Sequence, residues 1–297
     1  MFQRALVCTD FEDGLYRLVN FVPSLAAGGL RSITFLHVVP IQDDREIPRP
    51  DLEKEKQARD RLEVALKDIP EGIEVKVDVR TGRPSDGVLN AIRVQKSEVV
   101  ILGTPRRTRL DELFGSTTRR ICKQVQVPVL ILRPRLISAY TNEELELRCR
   151  HLFRYLLIPY DGSNSSNYLV DQIKLYAKDR PENSLESCFL SWVVDDVRRR
   201  GLEDIQDYQA QQAESKLAEV ERELKAIGLA ADASVVQGNA LTEIMNIAVE
   251  KDISAIAISS EVMGKLLELS VPSFAGELMR QSMHPVLYFP TDAKANK

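Results

Sequence analysis

Three histidines are all this chain has, His37, His151 and His284, and its four cysteines (Cys8, Cys122, Cys149, Cys188) include no CxxC pair. Those shortages exclude the usual structural zinc patterns. No Ser or Cys nucleophile is evident beside a histidine, which disfavours a hydrolytic triad. Neither a G-x-G-x-x-G fingerprint nor a Walker loop occurs, so a dinucleotide dehydrogenase and a P-loop NTPase are disfavoured too. No apolar run approaches the ~18 residues of a spanning helix. The opening stretch MFQRALVCTDFEDG lacks the apolar core of a signal peptide. Scattered cysteines and no leader lead us to expect a cytoplasmic protein with no membrane segment. Forty basic residues against 44 acidic ones leave a net charge of −4. That balance gives no global drive toward nucleic acid.

What is present is ordinary globular composition, 44% hydrophobic and 28% charged over 297 residues. At about 150 residues per domain, two domains are expected. Apolar runs of strand length alternate with amphipathic stretches of helix length. In the first half, strands are expected at Ala5–Thr9, Ser32–Val39, Ile73–Val79, Glu98–Gly103 and Val129–Leu132. Helices are expected near Asp13–Ala27, Asp51–Asp68, Ser85–Gln95 and Ser116–Gln126. Runs such as Val-Val-Ile-Leu, without alternation, suit strands covered on both faces. Alternating strands and helices predict right-handed βαβ units and a parallel, doubly wound sheet.

The second half repeats the order, with strands at Tyr155–Pro159, Ser187–Val194, Ala233–Val236, Ser254–Ser259 and Pro285–Phe289. A long helix runs from about Leu202 to Ile227, with Gly228 placed to cap it. The repeat shows in nearly constant offsets. Asp10 and Asp161 are 151 apart, Gly82 and Gly238 are 156 apart, and Pro128 and Pro285 are 157 apart. This predicts two copies of one domain, residues 1–134 and 154–291, joined by a charged linker at 135–153 with a helical turn or two. Trp192, the single tryptophan, sits in an apolar strand and reads as core.

Two features could carry chemistry. The segment Gly103-Thr-Pro-Arg-Arg-Thr-Arg-Leu-Asp-Glu-Leu-Phe-Gly-Ser-Thr follows a buried strand and opens a helix at Ser116. A helix N-terminus offers free N–H groups and a partial positive charge to phosphate. The same residues also read as a capped helix behind a solvated loop. Asp10 ends the first strand, where open α/β sheets bind ligands, and it equally suits a turn.

Together these features resemble the universal stress protein family in its tandem two-domain form. The resemblance spans the chain outside the linker. It implies two Rossmann-like, adenine nucleotide alpha hydrolase-like domains, each a five-stranded mostly parallel sheet with helices on both faces. It also implies pairing through the last strands, here Val129–Leu132 and Val286–Phe289. The family's signature is G-x-x-G-x9-G-[ST]. By position, Gly103, Gly115 and Ser116 match it, Asp10 matches the first-strand aspartate, and Val39 the second-strand residue. Thr117 follows by position. The resemblance implies an adenine nucleotide, ATP or AMP, held there, with Mg2+ accompanying ATP.

The signature is partial. Arg106 replaces its second glycine, and eight residues (107–114) rather than nine precede Gly115. Arg106 either crowds a triphosphate or meets phosphate through its guanidinium. The second copy keeps Asp161 but has Ser259, Val262 and Pro272-Ser273 in place of the signature. Glu261 and Glu268 would repel phosphate there. The expected function is therefore a stress-response protein binding nucleotide in its first copy, with at most slow hydrolysis. The alternative is a scaffold that binds protein partners and no nucleotide. Either form allows a homodimer.

Overall fold

The computed structural model describes residues 1–12, 14–41, 51–104, 116–194, 203–260 and 273–291. The chain divides into two compact units, residues 2–152 and residues 153–297, the latter with Met1.

The first unit opens with β1 (Arg4–Cys8), a 3-10 helix (Leu15–Phe21) and α1 (Val22–Ala27). The expected single helix over 13–27 is thus two pieces. Pro23 lies in the first turn of α1; it has no N–H for the residue four back, and its ring crowds that carbonyl. Then come β2 (Ser32–Val39), α2 (Leu52–Leu62), β3 (Glu74–Thr81), α3 (Pro84–Gln95), β4 (Val99–Gly103), α4 (Ser116–Gln124) and β5 (Val129–Leu132). Asp51 caps α2, accepting from the Lys54 N–H at 3.1 Å. The strands form a parallel sheet in the order β3-β2-β1-β4-β5. β1, β4 and β5 are buried almost throughout, as expected of strands covered on both faces. Leu6, Val7, Ile33 and Phe35 are wholly buried at the centre.

The stretch expected as a linker is mostly helical: α5 (Pro134–Ala139) and α6 (Asn142–Arg150). A capping box between Thr141 and Glu144 starts α6. Leu145 and Cys149, four apart, are buried. A Cβ on Gly28 would stand 2.6 Å from the Arg150 carbonyl oxygen. Arg17 donates to the carbonyls of Ile137 and Tyr140 and to Asn142 Oδ1. These contacts seat the segment on the first unit.

The second unit comprises β6 (Tyr155–Pro159), α7 (Asn164–Lys178), β7 (Ser187–Val194), α8 (Glu203–Ala226), β8 (Ala230–Gln237), α9 (Ala240–Glu250), β9 (Ala255–Ser260), α10 (Phe274–Gln281) and β10 (Val286–Pro290). Its parallel sheet runs β10-β9-β6-β7-β8, the first unit's order reproduced. The repeat extends to single residues. Gly82 (φ +148°) donates its N–H to the Val39 carbonyl, and Gly238 (φ +151°) donates to the Val194 carbonyl, both at 3.0 Å. Gly228, at φ +73°, ends α8, and the Leu229 N–H returns to the Leu224 carbonyl at 3.2 Å. β8 starts at Ala230 rather than Ala233, because pairing with β7 begins at Ser187↔Ala230.

All four cysteines are buried, and none is in a disulfide. Burial pushes the thiols of Cys122, Cys149 and Cys188 up to about 12, so they stay protonated and unreactive near neutrality. Among the described residues, no helix is long and apolar enough to cross a membrane.

Candidate functional site

In the first unit the strand order reverses between β1 and β4, and a crevice is expected outside their carboxyl ends. A cavity of about 860 Å³ opens there, within the usual range for small-molecule sites, roughly 300–1,000 Å³. Cys8 and Thr9, Val38 and Val39, and Leu102 bring the ends of β1, β2 and β4 to it. Lys54, Gln57, Ala58 and Arg61 line another side, on one face of α2. Thr118 and Ile121 contribute from α4.

Asp10 is exposed and lines the cavity. Its Oδ1 accepts the Glu12 N–H at 2.8 Å, so the turn reading of this residue and its place at the cavity hold together. Val39 is buried at the end of β2 and also lines the cavity. Gly103 ends β4, paired with Leu132. Ser116 and Thr117 are the first residues of α4, the helix whose Thr118 reaches the cavity. Arg106 and Gly115 lie outside the described residues, as do Glu261, Val262, Glu268 and Pro272 of the second copy.

The structure adds a cluster to these residues. Phe11 has φ +65°, a left-handed conformation that costs a bulky residue roughly 1–3 kcal/mol. Its N–H donates to Thr9 Oγ1 at 2.9 Å. Its ring centroid is 4.5 Å from that of His37. The Arg61 guanidinium lies over the same ring, at 4.0 Å from its centroid, and over Tyr16 at 4.9 Å. A strongly polar α2 reads from sequence as a solvated helix, so Lys54 and Arg61 gave no signal beyond their seven-residue spacing. Phe11 gave none.

His37 Nδ1 is 2.8 Å from the Thr9 carbonyl oxygen. A carbonyl only accepts, so Nδ1 carries the proton. Burial lowers the pKa of His37 below its ordinary 6.5; the Thr9 bond and Asp10 oppose that, and Arg61 adds to it. The folded chain therefore favours neutral His37 more than the unfolded chain does. Its contribution is complete above pH 6.5 and is lost as pH falls through the lower native value. We expect the wild type to lose more stability than His37→Gln between pH 7.5 and the mildly acidic range. Matched urea titrations across that window check this; identical pH profiles would contradict it.

The second unit has its own, smaller cavity, about 340 Å³, at the equivalent reversal between β6 and β9. Asp161, Ser163, Ser191 and Ser259 line it. Burial works against ionisation of Asp161, but hydrogen bonds from Ser163 and Ser166 outweigh it and hold its carboxyl below the ordinary 3.8. Ser259 Oγ donates to the Phe289 carbonyl at 3.1 Å, and Ser273 caps α10. Trp192 is half-buried rather than core, edge-on to Tyr160 at 5.7 Å.

Comparison with known proteins places both units in one context. The sequence profile described as the Universal stress protein family matches twice, at residues 1–133 and 153–290. A universal stress protein of Mycobacterium tuberculosis is 24% identical over 237 residues, covering 76% of this chain and 75% of that protein. The crystal structure of a universal stress protein from Archaeoglobus fulgidus superposes with a TM-score of 0.65 at 17% identity, covering 97% of this chain and 96% of its own. One described as a putative universal stress protein from Pseudomonas aeruginosa gives 0.59 at 14% identity, over 97% and 93%. These two structures share the fold.

Proposed function

The chain belongs to the universal stress protein family, and we propose from that premise that its first unit binds an adenine nucleotide, ATP or AMP, in the 860 Å³ cavity. The observation that carries this reading is the lining of that cavity, which brings together the carboxylate of Asp10, the buried end of β2 at Val39, and the cations Lys54 and Arg61. The base would pack against Val39, and the ribose hydroxyls would donate to Asp10. The phosphates would lie toward the N-terminus of α4, near Gly103, Ser116 and Thr117, where the helix dipole favours negative charge. Arg106 and Gly115 belong to this proposal by their place in the signature. Mg2+ would accompany ATP on its phosphates. Among the described residues no group of His, Cys, Asp and Glu could hold a metal by itself. Binding is the activity proposed, with hydrolysis slow at most.

A second reading draws on Arg61. Its guanidinium already rests on Phe11 and Tyr16, so the cavity wall is partly satisfied without a ligand. That favours a scaffold acting through protein partners or a homodimer. Small molecules released from freshly purified chain by acid and identified by mass spectrometry separate the two. The nucleotide reading expects AMP or ATP in the extract or captured on exposure to either. The scaffold reading expects neither.

A further inference from the structure

The second unit's cavity has a feature that its own packing does not account for. Ser191 is 1% exposed on β7, and its carbonyl takes the Tyr160 N–H at 2.9 Å. Its hydroxyl, however, is shielded from solvent with no hydrogen-bond partner in the protein, and Ser191 lines the 340 Å³ cavity. A buried hydroxyl without a partner is destabilising, and alanine would fill the same space without that cost. The rest of the polar lining is also hydroxylic: Ser163, Ser165, Ser166 and Ser259 accompany Asp161.

The charges select the ligand. Among the described lining residues Asp161 alone is charged. The N-terminus of α7 is already answered by the protein. Asp161 Oδ1 accepts the Ser163 N–H at 2.9 Å, and Ser163 Oγ accepts the Ser166 N–H at 3.2 Å. The Ser273 side chain does the same for α10, accepting from the Gly276 N–H at 3.2 Å. A carboxylate therefore stands where a phosphate would need donors, and an anion is repelled. A metal cation is disfavoured too, because among the described residues no group of three His, Cys, Asp or Glu stands there to hold one. We propose that this cavity binds a small uncharged polyhydroxylated molecule, a sugar or polyol, whose hydroxyls pair with Ser191 Oγ and Asp161. The proposal does not depend on nucleotide binding by the first unit.

Trp192 provides the readout in the intact chain. It is the single tryptophan, next to Ser191, 5.7 Å from the Tyr160 ring and in contact range of Gly162. D-ribose, D-glucose and glycerol are titrated while tryptophan emission is followed, with ribose 5-phosphate as the charged match to ribose. At least one uncharged probe is expected to give a saturable change. Ribose 5-phosphate should bind roughly tenfold more weakly than ribose, and Asp161→Asn should narrow that gap. Ser191→Ala should weaken the uncharged probe by roughly tenfold while raising the melting temperature of the ligand-free chain. No saturable response to any uncharged probe would overturn the proposal. So would equal or tighter binding of ribose 5-phosphate, or a Ser191→Ala variant that melts higher but binds as before.

Discussion

Asp10→Ala is expected to weaken AMP and ATP binding to the intact chain by roughly 10- to 100-fold. The cause is local. Asp10 lies just past β1 on the cavity wall, where its carboxylate can accept from sugar hydroxyls. Hydrogen bonds to a charged group contribute about 1.5–3 kcal/mol, and about 1.4 kcal/mol is tenfold in affinity. Asp10→Asn keeps one acceptor oxygen and should fall between the two. The fold should persist in both, because Asp10 is exposed and removing it opens no cavity in the core. Calorimetric titrations of the three proteins, with their melting curves, make the comparison. An unchanged affinity in a folded Asp10→Ala protein would remove Asp10 from the site.

Leu145→Ala should destabilise the first unit by about 2–5 kcal/mol, the usual cost of truncating a buried leucine. Leu145 is 2% exposed on α6, in a stretch whose composition reads as a solvated linker. An exposed neighbour, Glu146→Ala, should change stability by less than about 0.5 kcal/mol. Native-state hydrogen exchange of the full chain, read at the amides of β1 and β2, reports this unit separately from the other. Equal, small effects of both substitutions would show that 134–152 is a loose connection after all. Gly28 supports the larger value. A side chain there meets the Arg150 carbonyl at 2.6 Å, backbone that cannot turn aside.

How far the sequence could be read follows from what each residue does. β2, β5, β6 and β7 keep the expected bounds; for β5 and β6 the reason is a continuous apolar run buried on both faces, which has few other outcomes. Asp10's place on the cavity wall could be expected because strand ends locate ligands in open sheets, whereas Val39 entered only through the family resemblance. A helical turn or two was expected at 135–153, but the packing of α6 was hidden because two buried residues, Leu145 and Cys149, form too narrow a stripe to stand out among Asn142-Glu-Glu-Leu-Glu-Leu-Arg. Lys54 and Arg61 were hidden for the opposite reason, since charged residues on a polar helix signal solvent. Phe11 depends on a left-handed backbone held by Thr9, and no periodicity records that. Ser191 is one more strand residue in the sequence, because the partnerless state of its hydroxyl is set by packing and not by residue type.

The central claim is that a nucleotide occupies the first unit and not the second. Titrating the intact chain with ATP and AMP by calorimetry tests it most directly. The account predicts one nucleotide per chain. Two per chain would place nucleotide in the second cavity as well, and no binding, with none released from the purified protein, would contradict the account outright.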